Sequence, residues 1–229
     1  MEDYPLKAKL LALAVLSVPA LASAAGNFNG PFLGGYLGYV DGNDSGKEQY
    51  LGATDGWTQE TSPKGTTFGL LGGYNWLFAN NLFVGAEADY EGRSADDTST
   101  QKYLGVPAST YPVKTELKAA YSLRAKFGYA IKQKTAVYVT AGYAAADIKR
   151  TFSYTSLPLS ESHTDWQDGW TAGVGVEHLF PAHIALRAEY RYADYGDTNV
   201  STANVFGTGY DEKQSYDEQS LRIGVAYQF

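Results

Sequence analysis

Residues 184–192 read Ile184-Ala185-Leu186-Arg187-Ala188-Glu189-Tyr190-Arg191-Tyr192, with apolar or aromatic side chains at the even positions and three charged side chains at odd positions. Successive side chains of a β-strand point to opposite faces, so this alternation predicts a strand with one apolar face and one charged face. Soluble β-sandwiches and membrane barrels both contain such strands. The other segments of the chain must therefore decide between the two architectures.

The same period recurs in eight segments of roughly ten residues, which is the length of a tilted strand that crosses a bilayer. The connections after the second, fourth and sixth segments are short, whereas the other connections run to about twenty residues. Short turns on one rim and long loops on the other are typical of an outer-membrane barrel. The eight segments are Phe32 to Asp41, Thr66 to Leu77, Leu82 to Tyr90, Thr115 to Ala130, Ala136 to Ile148, Gly169 to Phe180, Ile184 to Tyr195, and Gln219 to Phe229.

The aromatic residues on the apolar face fall into two groups at different heights. Two aromatic belts are typical of the two membrane–water interfaces, and they favour a membrane barrel over a secreted soluble β-sandwich. We therefore predict an all-β fold, an eight-stranded antiparallel up-and-down transmembrane β-barrel with short periplasmic turns and long extracellular loops. The belt at the short-turn rim contains Tyr74, Trp76, Phe127, Tyr129, Phe180, Tyr227 and Phe229, and the belt at the long-loop rim contains Tyr39, Tyr90, Trp170, Tyr190 and Tyr192.

The N-terminus has the pattern of a secretory signal peptide. Two lysines precede the apolar run Leu10 to Val18, which is too short to span a bilayer as a helix. The small residues Ala22 and Ala24 predict cleavage before Ala25. We therefore expect residues 1–24 to be removed after Sec-type export and residues 25–229 to form one barrel domain; the alternative is an N-terminal helix that is retained.

The composition of the 229 residues excludes several classes of function. Nineteen Tyr, ten Phe, four Trp and 25 Gly are more than an ordinary core needs, and they suit a β protein at a boundary between two solvents. The absence of Cys excludes thiol catalysis, thiolate metal sites and disulfides. A formal net charge of -7 argues against nucleic acid as a partner.

The charged face of the segments predicts a network of ion pairs in the barrel lumen. Its four acids and six bases give a charge of +2, and inward glycines leave room for long Arg side chains. An eight-stranded barrel is only wide enough for its interior to be filled by side chains, so a salt-bridged plug is favoured over a narrow ion path. The predicted network comprises Glu87, Asp89, Lys118, Arg124, Lys126, Glu177, Arg187, Glu189, Arg191 and Arg222.

Catalytic, metal and cofactor sites are not predicted. The cluster Ser162-His163-Thr164-Asp165 lies in one loop, where adjacent positions on an extended chain point apart, so a catalytic triad is disfavoured. Glu87 and Asp89 share a face with six bases and are expected to be ion-paired rather than to act as acid and base. The spacing of histidines and carboxylates matches no metal motif.

The long extracellular segments are acidic and contain exposed aromatic residues. The acids are explained by charge that is exposed to solvent. The alternatives are that they bind divalent cations shared with lipopolysaccharide phosphates, or that they contact an extracellular ligand or host surface. The aromatic residues suit surface contact. The acids are Asp41, Asp44, Glu48, Asp55, Glu60, Asp96, Asp97, Glu161, Asp165, Asp168, Asp194, Asp197, Asp211, Glu212, Asp217 and Glu218, and the aromatic residues are Tyr50, Trp57, Tyr103, Tyr111, Tyr154, Trp166 and Tyr210.

Six stretches of the mature chain match the sequence pattern of a known family: Gly34 to Gly38, Gly72 to Trp76, Val84 to Asp89, Gly169 to Glu177, Leu186 to Tyr192, and Leu221 to Phe229. Through the order and spacing of these stretches, the whole mature chain resembles the outer-membrane β-barrel proteins of Gram-negative bacteria related to the OmpA barrel, and within them the porin-like immunogenic outer-membrane proteins of α-proteobacteria. Two residues depart from the family pattern: His178 stands where Tyr is expected, and Lys126 where an apolar residue is more frequent.

The resemblance implies an integral protein of the bacterial outer membrane, surrounded by outer-membrane lipid and lipopolysaccharide. It also implies that Tyr227 and Phe229 form the signal read by the outer-membrane assembly machinery. We expect a structural or surface-interactive barrel that supports envelope integrity and is not an enzyme. A small-solute porin-like channel and a loop-mediated ligand-binding or host-binding protein are the alternatives.

Overall fold

The computed structural model describes residues 28–131 and 134–229. The predicted signal peptide and its cleavage site at Ala22, Ala24 and Ala25 lie outside these residues. Within them, no helix is both long enough and apolar enough to span a membrane.

Nine antiparallel strands form a closed barrel of eight, because two consecutive short strands occupy one position in the ring. Strand β1 (Gly30–Tyr50) pairs along its first half with β3 (Lys64–Leu77) and along its second half with β2 (Ala53–Thr61). The pairings run from Gly30↔Asn75 to Asp41↔Lys64 and from Asp44↔Thr61 to Tyr50↔Ala53, so β2 and β3 together form one barrel strand interrupted at residues 62–63. Strand β9 pairs with β1 and closes the ring. The predicted eight-stranded antiparallel barrel is confirmed. The strands are β1 (Gly30–Tyr50), β2 (Ala53–Thr61), β3 (Lys64–Leu77), β4 (Leu82–Tyr103), β5 (Val106–Ile131), β6 (Thr135–Tyr154), β7 (Leu159–Leu179), β8 (Ile184–Ser201) and β9 (Tyr210–Gln228), with a 3-10 turn at Pro181–His183 and a short helix α1 at Ala203–Phe206.

The strands continue well beyond the length that a bilayer requires. Strand β5 has 26 residues and β4 has 22, whereas a bilayer crossing takes about 9 to 11. The long extracellular segments are therefore mostly extensions of the barrel wall. Two of them end in tight turns at Leu51-Gly52 and Leu104-Gly105, where all four residues have positive φ.

The outer face carries the apolar side chains that the alternation assigns to lipid. Leu37, Phe68 and Leu70 are exposed in the middle of this band. Belt residues contact one another at both rims: the ring centroids of Tyr74 and Trp76 are 4.7 Å apart, and those of Trp170 and Tyr192 are 5.6 Å apart. Along most strands, the side chains that point outward and those that point inward are thus the ones that the alternation predicts.

In strand β5 the alternation between inward and outward side chains shifts by one residue at Lys118. Leu117 pairs with Ile148 and Ala119 with Asp147, so Lys118 is an extra residue that forms a β-bulge. The prediction that Lys118 faces the lumen is wrong, because the added residue moves its side chain to the outer face. There it is 44% exposed and lies 2.9 Å from Glu116.

Two inward glycines allow close packing of tyrosine rings. A Cβ on Gly69 would overlap the ring of Tyr36, and a Cβ on Gly175 would overlap the ring of Tyr138. The sequence suggested that inward glycines make room for arginine, but these two glycines make room for tyrosine. Gly224 does face Arg187, whose Cγ would lie 3.4 Å from an added Cβ.

Candidate functional site

The barrel interior is filled by side chains in layers that alternate between apolar and charged. The periplasmic end holds an apolar layer built on Phe28, Phe32, Leu71 and Phe83. The rings of Phe28 and Phe83 stack at 6.2 Å across this layer. The lumen is therefore closed at its periplasmic end by close-packed apolar side chains.

Lys126 and Glu177 form the first ion pair above the apolar layer. Their charged atoms are 2.8 Å apart, and both side chains are buried. The Lys126 ammonium also lies 4.2 Å from the ring centroid of Tyr138 and 5.2 Å from that of Phe32. The lysine that departs from the family pattern thus has one carboxylate and an aromatic surround as its partners.

Three arginines and three carboxylates form the central network. Arg124 contacts Glu87, Asp89 (3.0 Å) and Glu189 (2.7 Å), and so joins strands β4, β5 and β8. Arg187 contacts Glu87 at 2.7 Å and Glu189 at 3.0 Å. Arg191 contacts Asp89 at 3.1 Å and Glu189 at 3.0 Å. These six predicted residues meet across the lumen, each with at least two partners of opposite charge.

A third charged layer contains residues that the sequence reasoning missed. Arg93 contacts both Glu91 (2.7 Å) and Glu218 (2.6 Å), and Arg222 contacts Glu91 at 2.9 Å. Arg222 belonged to the predicted network, but the predicted segments ended at Tyr90 and began again at Gln219, which left Glu91, Arg93 and Glu218 outside the predicted strands. Continuing the period of two forward from Glu87 to Arg93 and back from Arg222 to Glu218 would have found them.

A separate ion pair lies higher in the extracellular part of the barrel. The buried guanidinium of Arg150 donates to both carboxylate oxygens of Asp44, at 2.7 and 2.9 Å. Asp44 also accepts a hydrogen bond from Thr115 at 2.7 Å. Asp44 was assigned to a solvated loop, but it is fully buried because β1 continues to Tyr50.

The charge of the interior differs from the predicted +2. Among residues 28–131 and 134–229, the buried charged side chains are nine acids and seven bases, which leaves a formal charge of -2. Four of the acids, Asp44, Glu48, Glu212 and Glu218, come from segments that were expected to be solvent-exposed loops. The difference arises because the strands, and hence the inward face, extend beyond the bilayer.

The uppermost polar layer is an outer chamber formed by Glu48, Gln101 and Glu212. Burial raises the pKa of Glu48 to about 7, and the charge of Asp55 adds to this shift. Burial and the charge of Glu48 raise the pKa of Glu212 to about 8. The side chain of Gln101 hydrogen-bonds to each carboxylate and lowers both pKa values in part.

A cluster of aromatic rings, here called the aromatic lid, lies at the extracellular end of the barrel. Tyr111 lies at its centre, 5.1 Å from the ring of Trp57, 4.8 Å from that of Tyr154 and 5.6 Å from that of Phe206. These residues come from β2, β5, β6 and α1. The loop aromatics that suggested surface contact therefore pack in part on one another.

The histidine and serine cluster of the third extracellular segment does not form a triad. His163 lies 3.0 Å from Glu161, whereas Ser162 hydrogen-bonds to Thr151 at 2.8 Å on the adjacent strand. Among the residues that the structure describes, no group of three or more His, Asp or Glu side chains is arranged to hold a metal ion.

The predicted assembly residues lie at the periplasmic rim of the outer face. The rings of Tyr227 and Phe229 meet edge to face at 4.9 Å, and both are exposed. The backbone N–H of Phe229 donates to the carbonyl of Pro31 at 2.9 Å. The C-terminal strand is thus held to the first strand up to its last residue.

Comparisons with known proteins match this architecture. The family model for the outer membrane protein beta-barrel domain matches residues 8–229. The 31 kDa outer-membrane immunogenic protein of Brucella melitensis is 30% identical, over 94% of this chain and 91% of that protein. The 22 kDa outer membrane protein of Rhizobium leguminosarum bv. viciae is 29% identical, over 90% and 80%.

The solved structure of the outer membrane protein OprG from Pseudomonas aeruginosa has the same fold. It superposes with a TM-score of 0.64 at 18% sequence identity and covers 89% of this chain and 98% of OprG. A closed ring of eight strands, an outward apolar band and a match over nearly the whole sequence therefore lead to one assignment: the chain belongs to the outer membrane protein beta-barrel domain family and is an integral protein of the bacterial outer membrane.

Proposed function

We propose that this protein is a structural, surface-exposed barrel with a closed lumen, which contributes to envelope integrity and does not act as a channel. The observation that carries the proposal is the continuous filling of the lumen. An apolar layer, charged layers and an aromatic lid follow one another from the periplasmic end to the extracellular mouth.

The energetics of the charged layers favour a plug over a pore. A buried charge without a partner costs several kcal/mol, so the paired side chains resist the separation that an ion path requires. A cavity beside Tyr36 and Arg222 has a volume of about 10 Å³, which is about the space of one water molecule. The small size of this cavity supports a lumen that ions do not cross.

Planar-bilayer recording tests the proposal against the porin-like alternative. We expect the wild-type barrel to produce no steady conductance steps when insertion is verified independently by labelling of an extracellular tip. Steady steps that scale with the amount of inserted protein would refute the closed lumen and support a small-solute channel.

Surface contact is proposed as a second role, and the two tight extracellular turns favour it. Leu51 and Leu104 are 75% and 73% exposed, and both adopt positive φ, which is unusual for Leu. Asn suits this conformation better, so Leu51→Asn with Leu104→Asn should retain the turns while removing the apolar tips. We expect weaker binding of antiserum raised against whole cells; unchanged binding would count against the tips as a contact surface.

Lipid, lipopolysaccharide and the assembly machinery are the partners that we propose for the outer face. The exposed apolar band supports contact with lipid tails. The exposed aromatic rings at the C-terminus support recognition during assembly. Enzymatic activity forms no part of the proposal.

A further inference from the structure

The outer chamber contains two buried carboxylates that face each other. Glu48 of β1 and Glu212 of β9 are direct partners in the antiparallel register, and both point into the barrel. They are 3% and 0% exposed. Cβ atoms of such cross-strand partners are about 4.5–5.5 Å apart, so the two carboxylates share one small volume.

These two carboxylates account for the whole excess charge of the interior. The other seven buried acids form salt bridges with the seven buried bases. Within the described part of the chain, neither Glu48 nor Glu212 has a salt bridge within 4.0 Å. Asp44, Arg150 and Asp55 are the other charged groups that influence the pKa values of these two carboxyl groups, and Arg150 is held by Asp44. The formal charge of -2 on this pair of carboxylates would be balanced by one divalent cation.

Buried oxygen atoms without a hydrogen-bond donor lie in this chamber and in the layer directly below it. The amide nitrogen of Gln101 donates to Oε1 of Glu212 at 3.2 Å, which leaves Oε1 of Gln101 and Oε2 of Glu212 buried without a donor. Gln59, which pairs with Gly46 one layer below, also has a buried Oε1 without a donor. Carboxylate and amide oxygens are the ligands of hard cations such as Ca²⁺.

We infer that Glu48, Glu212 and Gln101 form a binding site for one hard divalent cation inside the extracellular part of the barrel. Two carboxylates and amide oxygens supply the donors, and the cation neutralises the -2 charge. The site joins β1, β9 and β4. Since β1 and β9 are the first and last strands of the ring, the cation ties together the seam at which the barrel closes.

The site lies away from both lipid and bulk solvent. Glu48 is nine residues beyond the belt residue Tyr39, so it stands roughly 20 Å above the membrane interface for a tilted strand. Tyr111 of the aromatic lid is close enough to Glu48 to respond to its charge. Tyr111, and Trp57 whose ring lies 5.1 Å from that of Tyr111, are therefore positioned to sensitise a bound lanthanide.

Thermal unfolding of the barrel in detergent, without lipopolysaccharide, tests the inference at pH 8.5. In a hundredfold excess of Ca²⁺ over its Kd, we expect the apparent Tm to exceed that in EDTA by about 5–10 °C. The double variant Glu48→Gln with Glu212→Gln should show no such difference. The matched control Glu60→Gln removes an exposed carboxylate from the outer face of β2 and should keep the full shift.

Terbium luminescence provides a second measurement that does not depend on stability. We expect Tb³⁺ emission excited through Trp57 and Tyr111 to saturate at one ion per barrel, to fall on addition of Ca²⁺, and to be lost in the double variant only. Equal Tm values of the wild type in Ca²⁺ and EDTA, or equal emission from the double variant, would overturn the inference. If the Tm of the wild type does not respond to Ca²⁺ and the double variant is more stable than the wild type, the inference is wrong and the two carboxylates share a proton instead.

Discussion

Breaking the Lys126–Glu177 pair is the most direct way to test whether the lumen is a plug held by ion pairs. Glu177 is the carboxylate partner of Lys126 at 2.8 Å, and both side chains are almost fully buried. Glu177→Ala leaves the lysine ammonium in the interior with tyrosine and phenylalanine rings around it but, among the residues that the structure describes, no carboxylate within 4.0 Å.

The magnitude follows from two opposing effects. Removing one partner of a buried ion pair costs about 3–5 kcal/mol, because the other charge stays buried. The rings of Tyr138, Phe32 and Phe83 lie 4.2 to 5.5 Å from the Lys126 ammonium and continue to stabilise it. We therefore expect the lower end of the range, about 3 kcal/mol of lost unfolding free energy, together with increased ion leakage.

Urea unfolding in lipid vesicles measures the free energy, and single-channel recording at matched insertion measures the leakage. The control is the double variant Lys126→Met with Glu177→Leu, which replaces both charges by apolar side chains and should recover most of the stability. A loss below about 1 kcal/mol in Glu177→Ala, or a double variant that is less stable than the single one, would refute the ion-paired plug.

Three further predictions test the orientation, the packing and the assembly of the barrel. Val174 lies on the outer face of β7, near the middle of the predicted membrane-spanning segment Gly169 to Phe180, so Val174→Arg should cost about 2–4 kcal/mol in vesicle unfolding titrations, and a cost near zero would place it outside the lipid. Gly175→Ala should cost about 1–3 kcal/mol because its Cβ overlaps the ring of Tyr138, and a neutral effect in the same titration would contradict that close packing. Deletion of Phe229 should lower the yield of heat-modifiable, protease-resistant barrel while export across the inner membrane continues; full assembly of this variant would limit the residue to a role in the aromatic belt.

The sequence alone was sufficient for the fold because alternation is a local property of an extended chain. In residues 184–192, period two assigns Arg187, Glu189 and Arg191 to one face without any knowledge of neighbouring strands, and the structure places all three in the lumen. The alternation of short and long connections and the two aromatic belts both result from the bilayer, which imposes the same thickness and the same two interfaces on every strand. These features therefore predicted the strand number, the membrane setting and most inward residues.

The tertiary structure alone decided which inward residues meet and where the alternation changes. The bulge at Lys118 reverses the parity of β5, and it depends on pairing with β4 and β6 rather than on the local sequence. Contacts such as Arg150 with Asp44 join residues that are 106 positions apart, and they require the register of every intervening strand. Glu48 and Glu212 looked like solvated loop acids until the extended wall and its closing seam brought them together, because burial and distance are properties of the closed barrel and not of either strand.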